Sequence, residues 1–101
     1  MYQFITTEGT QAHIGENQTE NDHLVRTAKQ HWTWCHAEHV PSGHGILETS
    51  TPTRAELKEV AEELRKRCRM GQGRVEYCLM KYVRRTSTPG LVELTRRPRI
   101  I

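Results

Sequence analysis

The sequence contains no run of about 18 apolar residues, so nothing in it reads as a membrane-spanning helix. Its start, Met1-Tyr2-Gln3-Phe4-Ile5-Thr6, has neither the basic residues nor the apolar stretch of a secretion signal, and the expected compartment is the cytoplasm. Cysteine is scarce and odd in number. Cys35, Cys68 and Cys78 form no Cys-x-x-Cys pair and read as free thiols, not as a disulfide framework. No Gly-rich phosphate loop is present, and Gly71-Gln72-Gly73 reads only as a flexible link. No internal repeat or low-complexity tract interrupts the chain. Hydrophobic residues make up 35% of the 101 residues and aromatics 6%, which supports one domain, 1–101, with a thin core.

Charge is present and unevenly placed. Residues 1–50 hold two basic and six acidic residues, and residues 51–101 hold thirteen basic and six acidic. The halves carry −4 and +7, which make the overall +3. A basic half on a small domain suits a phosphate-bearing partner, although an arginine-rich solvated face has the same composition.

The pattern of residues predicts an α+β fold, a small mixed or antiparallel sheet with two helices. Tyr2, Phe4 and Ile5 with Thr6 and Thr7 read as a short first strand and Gln11 to Ile14 as a second, around a turn at Glu8-Gly9. Asn21 or Asp22 is expected to cap a short helix over about 23–29. Trp32, Trp34 and His36 alternate with Thr33, Cys35 and Ala37 as in a strand, which Pro41-Ser42-Gly43 breaks before another at Gly45–Glu48. A small core seldom leaves two large rings exposed, so one tryptophan is expected inside. The long amphipathic helix is expected over about 54–69. Thr53 and Glu56 form a capping box, and Leu57, Val60, Ala61, Leu64 and Cys68 recur at a helical period. Glu62/Lys66 and Glu63/Arg67 are favourable pairs on its outer face, and Gly71 is the expected C′ residue. Residues 74–85 fit either a strand or a helix. The β-branched and aromatic start favours a strand over Val75–Leu79. Leu91–Leu94 and Arg99–Ile101 read as the last strands, flanking Arg96-Arg97-Pro98.

Three kinds of chemistry can be weighed on these residues. Cys35, His36, His39 and His44 are zinc-compatible donors, but neighbours on a strand point to opposite faces, which separates Cys35 from His36. A thiolate at Cys35 beside His36 would need a third orienting group that the sequence does not supply. Cys35 is more simply an inward strand residue, and no catalytic constellation, metal site or cofactor is expected. The third is a nucleic-acid surface. Lys81, Arg84 and Arg85 lie near Tyr77 and Tyr82, and Arg65, Lys66, Arg67, Arg69 and Arg74 gather at the end of the long helix. Cations attract phosphates, and aromatic rings stack on unpaired bases.

Ordered motifs narrow this reading. Gly15, Asn17, Asn21, Asp22 and Leu24 come first. Trp34, His36, Pro41, Ser42 and His44 follow, then the long helix. Val75, Tyr77, Lys81, Val83, Arg84 and Arg85 come next, and Pro89, Gly90 and Val92 close the series. From about Ile14 to the C-terminus this order resembles the NFACT-R domain, the RNA-binding module at the far end of ribosome quality-control proteins. The chain departs from that pattern at five places. Trp32 stands for an acidic residue, Gly43 for a small Ser or Ala, Gly45 for a β-branched residue, Cys68-Arg69 for a Ser-Lys pair and Cys78 for a threonine. The resemblance implies a stand-alone RNA-binding module that contacts structured RNA, tRNA or rRNA, in the setting of ribosome quality control or tRNA modification. The large ribosomal subunit is the wider expected partner, with duplex DNA a less favoured variant and no membrane. Phosphate contacts are expected from Lys81, Arg84 and Arg85, extended by Arg69 and Arg74. Asn17, Asn21, Asp22, His36 and His44 are expected to shape the signature loops and meet RNA. The alternative is a protein-interaction adaptor that docks to a ribosomal or RNA-modifying partner without touching RNA.

Overall fold

Strand-forming residues flank the chain, and both helices are set between them in sequence, so each helix must cover a face of one sheet. A computed structural model describes residues 1–68 and 73–101. The strands are β1 (Tyr2–Ile5), β2 (Gln11–Ile14), β3 (Thr33–Ala37), β4 (Gly45–Leu47), β5 (Val75–Leu79), β6 (Val83–Arg85), β7 (Val92–Leu94) and β8 (Arg99–Ile100). The helices are α1 (Gln18–Thr27) and α2 (Arg54–Cys68). Six strands form one sheet in the order β1-β2-β4-β3-β5-β8, and β6 pairs with β7 apart from it. Every pairing is antiparallel.

The two faces of the sheet bury different residues of the same strands, as the period of two requires. On β3, Cys35 packs with α2, while Trp34 packs with α1. On β4, Leu47 faces α2 and Ile46 faces α1. The first face carries Ala12, Ile14 and Val75 against Leu57, Val60, Ala61 and Leu64, the stripe expected from the sequence. The second carries Trp34, Ile46 and Met80 against Leu24, Val25 and Ala28, with Val83, Val92 and Leu94 of the β6–β7 pair packed beside them. Trp34 is the inward tryptophan at 1% exposure, and Trp32, just ahead of β3, is half-buried at the edge of the second core.

The capping box of α2 is formed in both directions. The Glu56 amide donates to Thr53 Oγ1 at 3.1 Å, and the Thr53 amide donates to Glu56 Oε1 at 3.2 Å. The Glu63/Arg67 pair closes at 3.5 Å, whereas Lys66 turns to Glu63 at 3.3 Å in place of Glu62. The side chain of Cys68, Arg69 and the expected C′ residue Gly71 lie outside the described residues.

Helix α1 corrects the expectation of a helix over 23–29 capped by Asn21 or Asp22. It begins five residues earlier because Asn17 is the cap, its side chain accepting from the Glu20 amide at 2.9 Å. Glu20 Oε1 in turn accepts from the Glu16 amide at 2.9 Å, so the Asn17-x-x-Glu20 spacing satisfies one first-turn donor and the amide just ahead of the cap. The ambiguous 74–85 stretch resolves into β5, a single 3₁₀ turn (Met80–Tyr82) and β6. That turn is fixed from outside, where the Met80 and Lys81 amides donate to the carbonyls of Trp32 and Gln30.

Leu64 is fully buried in the first core. Leu64→Ala should cost about 2–5 kcal/mol and lower the melting temperature by about 10 °C or more in a thermal scan.

Candidate nucleic-acid interface

The signature residues near Asn17 and His44 interlock before they offer anything to a partner. The His44 amide donates to Asn21 Oδ1 at 3.0 Å, and the His44 carbonyl accepts from the Gly15 amide at 3.0 Å. Gly15 and Gly43 are required by that closeness. A Cβ on Gly15 would lie 2.1 Å from Asn21 Oδ1, and one on Gly43 would lie 2.1 Å from the Gly15 carbonyl oxygen. Gly43, which stands where the NFACT-R pattern has Ser or Ala, is therefore set by local crowding. Gly45, in place of a β-branched residue, lets α2 approach: a Cβ there would meet Val60 Cγ1 at 3.0 Å.

His44 is spent on both ring nitrogens. Trp34 Nε1–H donates to Nδ1 at 2.8 Å, so Nδ1 is unprotonated and Nε2–H donates to the Gly90 carbonyl at 2.9 Å. Burial, and secondarily the neighbouring His36 charge, lower its pKa to about 4. His36 stacks on Trp34 with ring centroids 5.6 Å apart and meets His44 at 5.1 Å. Burial lowers the His36 pKa as well. Ser42 Oγ accepts from the Ala37 amide at 3.1 Å and donates to the Gly43 carbonyl at 2.8 Å. Together these residues floor a cleft of about 870 Å³ between α1, the Pro41-Ser42-Gly43 loop and the Pro89-Gly90 turn.

Of the expected phosphate contacts, the structure separates free cations from engaged ones. Arg85 grips Asp22 with two hydrogen bonds, Nε at 3.1 Å and Nη2 at 3.0 Å, and that contact holds the Asp22 carboxyl below its ordinary range. The pair ties β6 to α1. Arg74 is held by Glu38 at 2.9 Å at the far end of β5. Arg67 pairs with Glu16 and Glu63 and lies 3.5 Å from the centroid of the Tyr2 ring, and Arg65 Nε donates to the Gly73 carbonyl. The cations described at the end of α2 thus serve largely internal contacts. Arg69 lies outside the described residues.

Lys81 and Arg84 are exposed, and among the described residues no carboxylate pairs with either. They share a groove with Arg26, Gln30 and Thr95. The same surface continues past Tyr82, whose ring has Lys81 Nζ and the Arg96 guanidinium each 5.1 Å from its centroid. Arg96 Nη1 also donates to Tyr82 Oη at 2.8 Å, and this contact lowers the phenol pKa. Arg97 and Arg99 follow, exposed beside Tyr77 and the hydroxyl residues Ser50 and Thr51. These three arginines were not among the expected contacts. The signal was the Arg96-Arg97-Pro98-Arg99 run, in which Arg96-Arg97-Pro98 reads in sequence as a connection between strands and Arg99 as the start of the last strand.

Cys35 is wholly buried against α2, and burial pushes its thiol up, away from the thiolate. His36 projects from the opposite face, as strand alternation requires. Among the described residues no three His, Cys, Asp or Glu side chains gather in a way that could hold a metal ion. Among them, too, no helix is long and apolar enough to cross a membrane.

No family model matches the chain, and no curated protein matches it. Among solved structures, the C-terminal part of the fibronectin/fibrinogen-binding protein from Streptococcus suis has the same fold, with a TM-score of 0.88 over 98% of this chain and 22% sequence identity. This chain spans 43% of the length of that one.

Two measurements check this geometry. His44 is neutral in the fold and takes up a proton only near pH 4, whereas an unfolded histidine does so near 6.5. Unfolding therefore takes up a proton between these values, and the stability His44 contributes is intact above pH 6.5 and lost as pH falls towards 4. Denaturant unfolding across that window should show a loss of up to about 3 kcal/mol from this group, and a flat profile would place His44 in solvent. Gly43→Ala should destabilise the fold by more than about 1 kcal/mol in the same assay, because the backbone of Gly15 must move to admit the methyl group.

Proposed function

We propose that this chain is an RNA-binding module of the NFACT-R kind, which holds structured RNA such as tRNA or rRNA by its phosphates. One observation carries the reading. Lys81, Arg84, Arg96, Arg97 and Arg99 are exposed and have no carboxylate partner among the described residues; Lys81 and Arg96 flank Tyr82, and Arg96, Arg97 and Arg99 line a groove with Tyr82 and Tyr77. Natural surfaces usually intersperse charges of both signs, and elsewhere on this chain most arginines are paired. An unpaired row of five cations next to two phenol rings supplies phosphate neutralisation and a stacking platform together. The shared fold with the Streptococcus suis structure is compatible with this reading, and so is the order of motifs that resembles NFACT-R.

Arg85 moves from the binding surface to the scaffold in this reading, because its guanidinium is committed to Asp22. Its role would be to hold β6 and its neighbour Arg84 against α1. Asn17 and Asn21 likewise shape the loops, their side chains committed to the Glu20 and His44 amides.

A protein-docking adaptor is the second reading. What favours it is the structural neighbour, which by its description binds fibronectin and fibrinogen. Capture of a partner that survives nuclease treatment, with no tRNA binding at low salt, would establish that reading in place of the first.

The decisive experiment is a salt titration of tRNA binding by the wild type and by a Lys81→Ala/Arg84→Ala variant, with duplex DNA as competitor. The wild type should bind with a steep salt dependence and resist DNA. The double variant should bind more weakly, and its slope of log affinity against log salt should be shallower by about 2. An unchanged slope removes this surface from the function.

A further inference from the structure

The cleft beside His36 holds two hydrogen-bond acceptors that the chain itself does not use. The Nδ1 atom of His36 lies 2.6 Å from the Ala37 carbonyl oxygen, which can only accept, so Nδ1 carries the proton and Nε2 presents a lone pair. Glu76 stands directly across from His36 in the β3–β5 register and so shares its face of the sheet. Its carboxylate is half-buried at the cleft wall and has no hydrogen-bond or ion-pair partner among the described residues. Burial, and then the charge of Glu38, raise its pKa. The other polar side chains at the floor, Asn21, Ser42 and His44, are already engaged. The rest of the lining joins the apolar Val40, Pro41 and Leu91 to polar side chains that the chain already pairs, among them Glu16 with Arg67 and His39 with Glu38.

An acceptor pair beside an apolar patch suits a flat ligand with adjacent N–H donors. Among the four RNA bases only guanine presents two neighbouring donors, N1–H and N2–H₂, on one edge, and a carboxylate can accept both. We propose that this cleft receives an unpaired guanine of bound RNA, with N1–H and N2–H₂ on the Glu76 carboxylate and its ring face on Val40 and Pro41. His36 Nε2 would accept from the ribose 2′-hydroxyl. The inference rests on the RNA reading for the source of the guanine. Helix α1 contributes to both the cleft, through Asn21, and the Lys81/Arg84 groove, through Arg26, and the β6–β7 segment does likewise, through Gly90 and Arg84. A peptide arginine also has adjacent donors, and Arg67 in the same lining is already paired with Glu16, so an arginine side chain is the competing ligand to test.

The test is a proton–nitrogen NMR titration of the intact chain with GMP, IMP and AMP. A second series uses short oligouridines carrying one central guanosine, inosine or adenosine. Amides of Gly43, His44 and Leu91 should shift with the guanine ligands. Inosine, which lacks the N2 amine, should bind at least about tenfold more weakly. Glu76→Gln should erase the preference for guanine while leaving the melting temperature and the Lys81/Arg84-dependent salt slope for tRNA unchanged. An equal response to the three bases, or shifts confined to other surfaces, overturns the cleft assignment. In that case an intact tRNA salt slope would show that the cation surface survives. A stronger response to N-acetylarginine amide than to any nucleotide overturns it in favour of a protein side chain.

Discussion

The fold turns on one buried imidazole. His44 accepts a hydrogen bond from the Trp34 indole on β3 and donates one to the Gly90 carbonyl in the turn before β7, while its backbone is held by Asn21 and Gly15. Four separate segments thus meet at a residue that is 2% exposed. Burying an indole N–H, an imidazole and a carbonyl is tolerable only because each finds its partner, and the chain of hydrogen bonds leaves none of the three unsatisfied. The same bonds fix the tautomer, and the tautomer fixes which way the Pro89-Gly90 turn lies.

That constraint separates two surfaces with opposite chemistry. Residues around the imidazole are mutually satisfied, so the cleft above them is defined by the few acceptors left over. The β6–β7 pair, docked on α1 through Val83, Val92 and Leu94, carries its cations outward. The Asp22–Arg85 pair lies between the two and is partly exposed, so its worth as a stabilising contact is small. Its consequence is geometric, since it fixes β6 relative to α1 and so the position of Arg84.

Pairing within the chain is what distinguishes its arginines. On composition alone, the basic residues at the end of α2 and those on β6 look alike. In the fold Arg67 and Arg74 have carboxylates within reach, and Arg65 has a carbonyl. Lys81, Arg84 and the 96–99 run have none among the described residues. An unpaired cation keeps its counterions until a phosphate displaces them, which is the source of salt-dependent affinity.

Period and capping determined the α+β class, the strands at Tyr2–Ile5, Gln11–Ile14 and Val75–Leu79, and the span and buried stripe of α2, because these depend on neighbours a few residues apart. The start of α1 was legible as well, in Asn17-x-x-Glu20, but Asn21 and Asp22 competed for the same cap. Only the fold could assign Asn21 to the His44 amide and Asp22 to Arg85, since those partners lie 23 and 63 residues away. It also decided which tryptophan is buried, why position 43 cannot carry a Cβ, and which cations are free. Sequence specifies a side chain's chemistry and its local face, whereas long-range antiparallel register decides what stands opposite, and pairing follows from that.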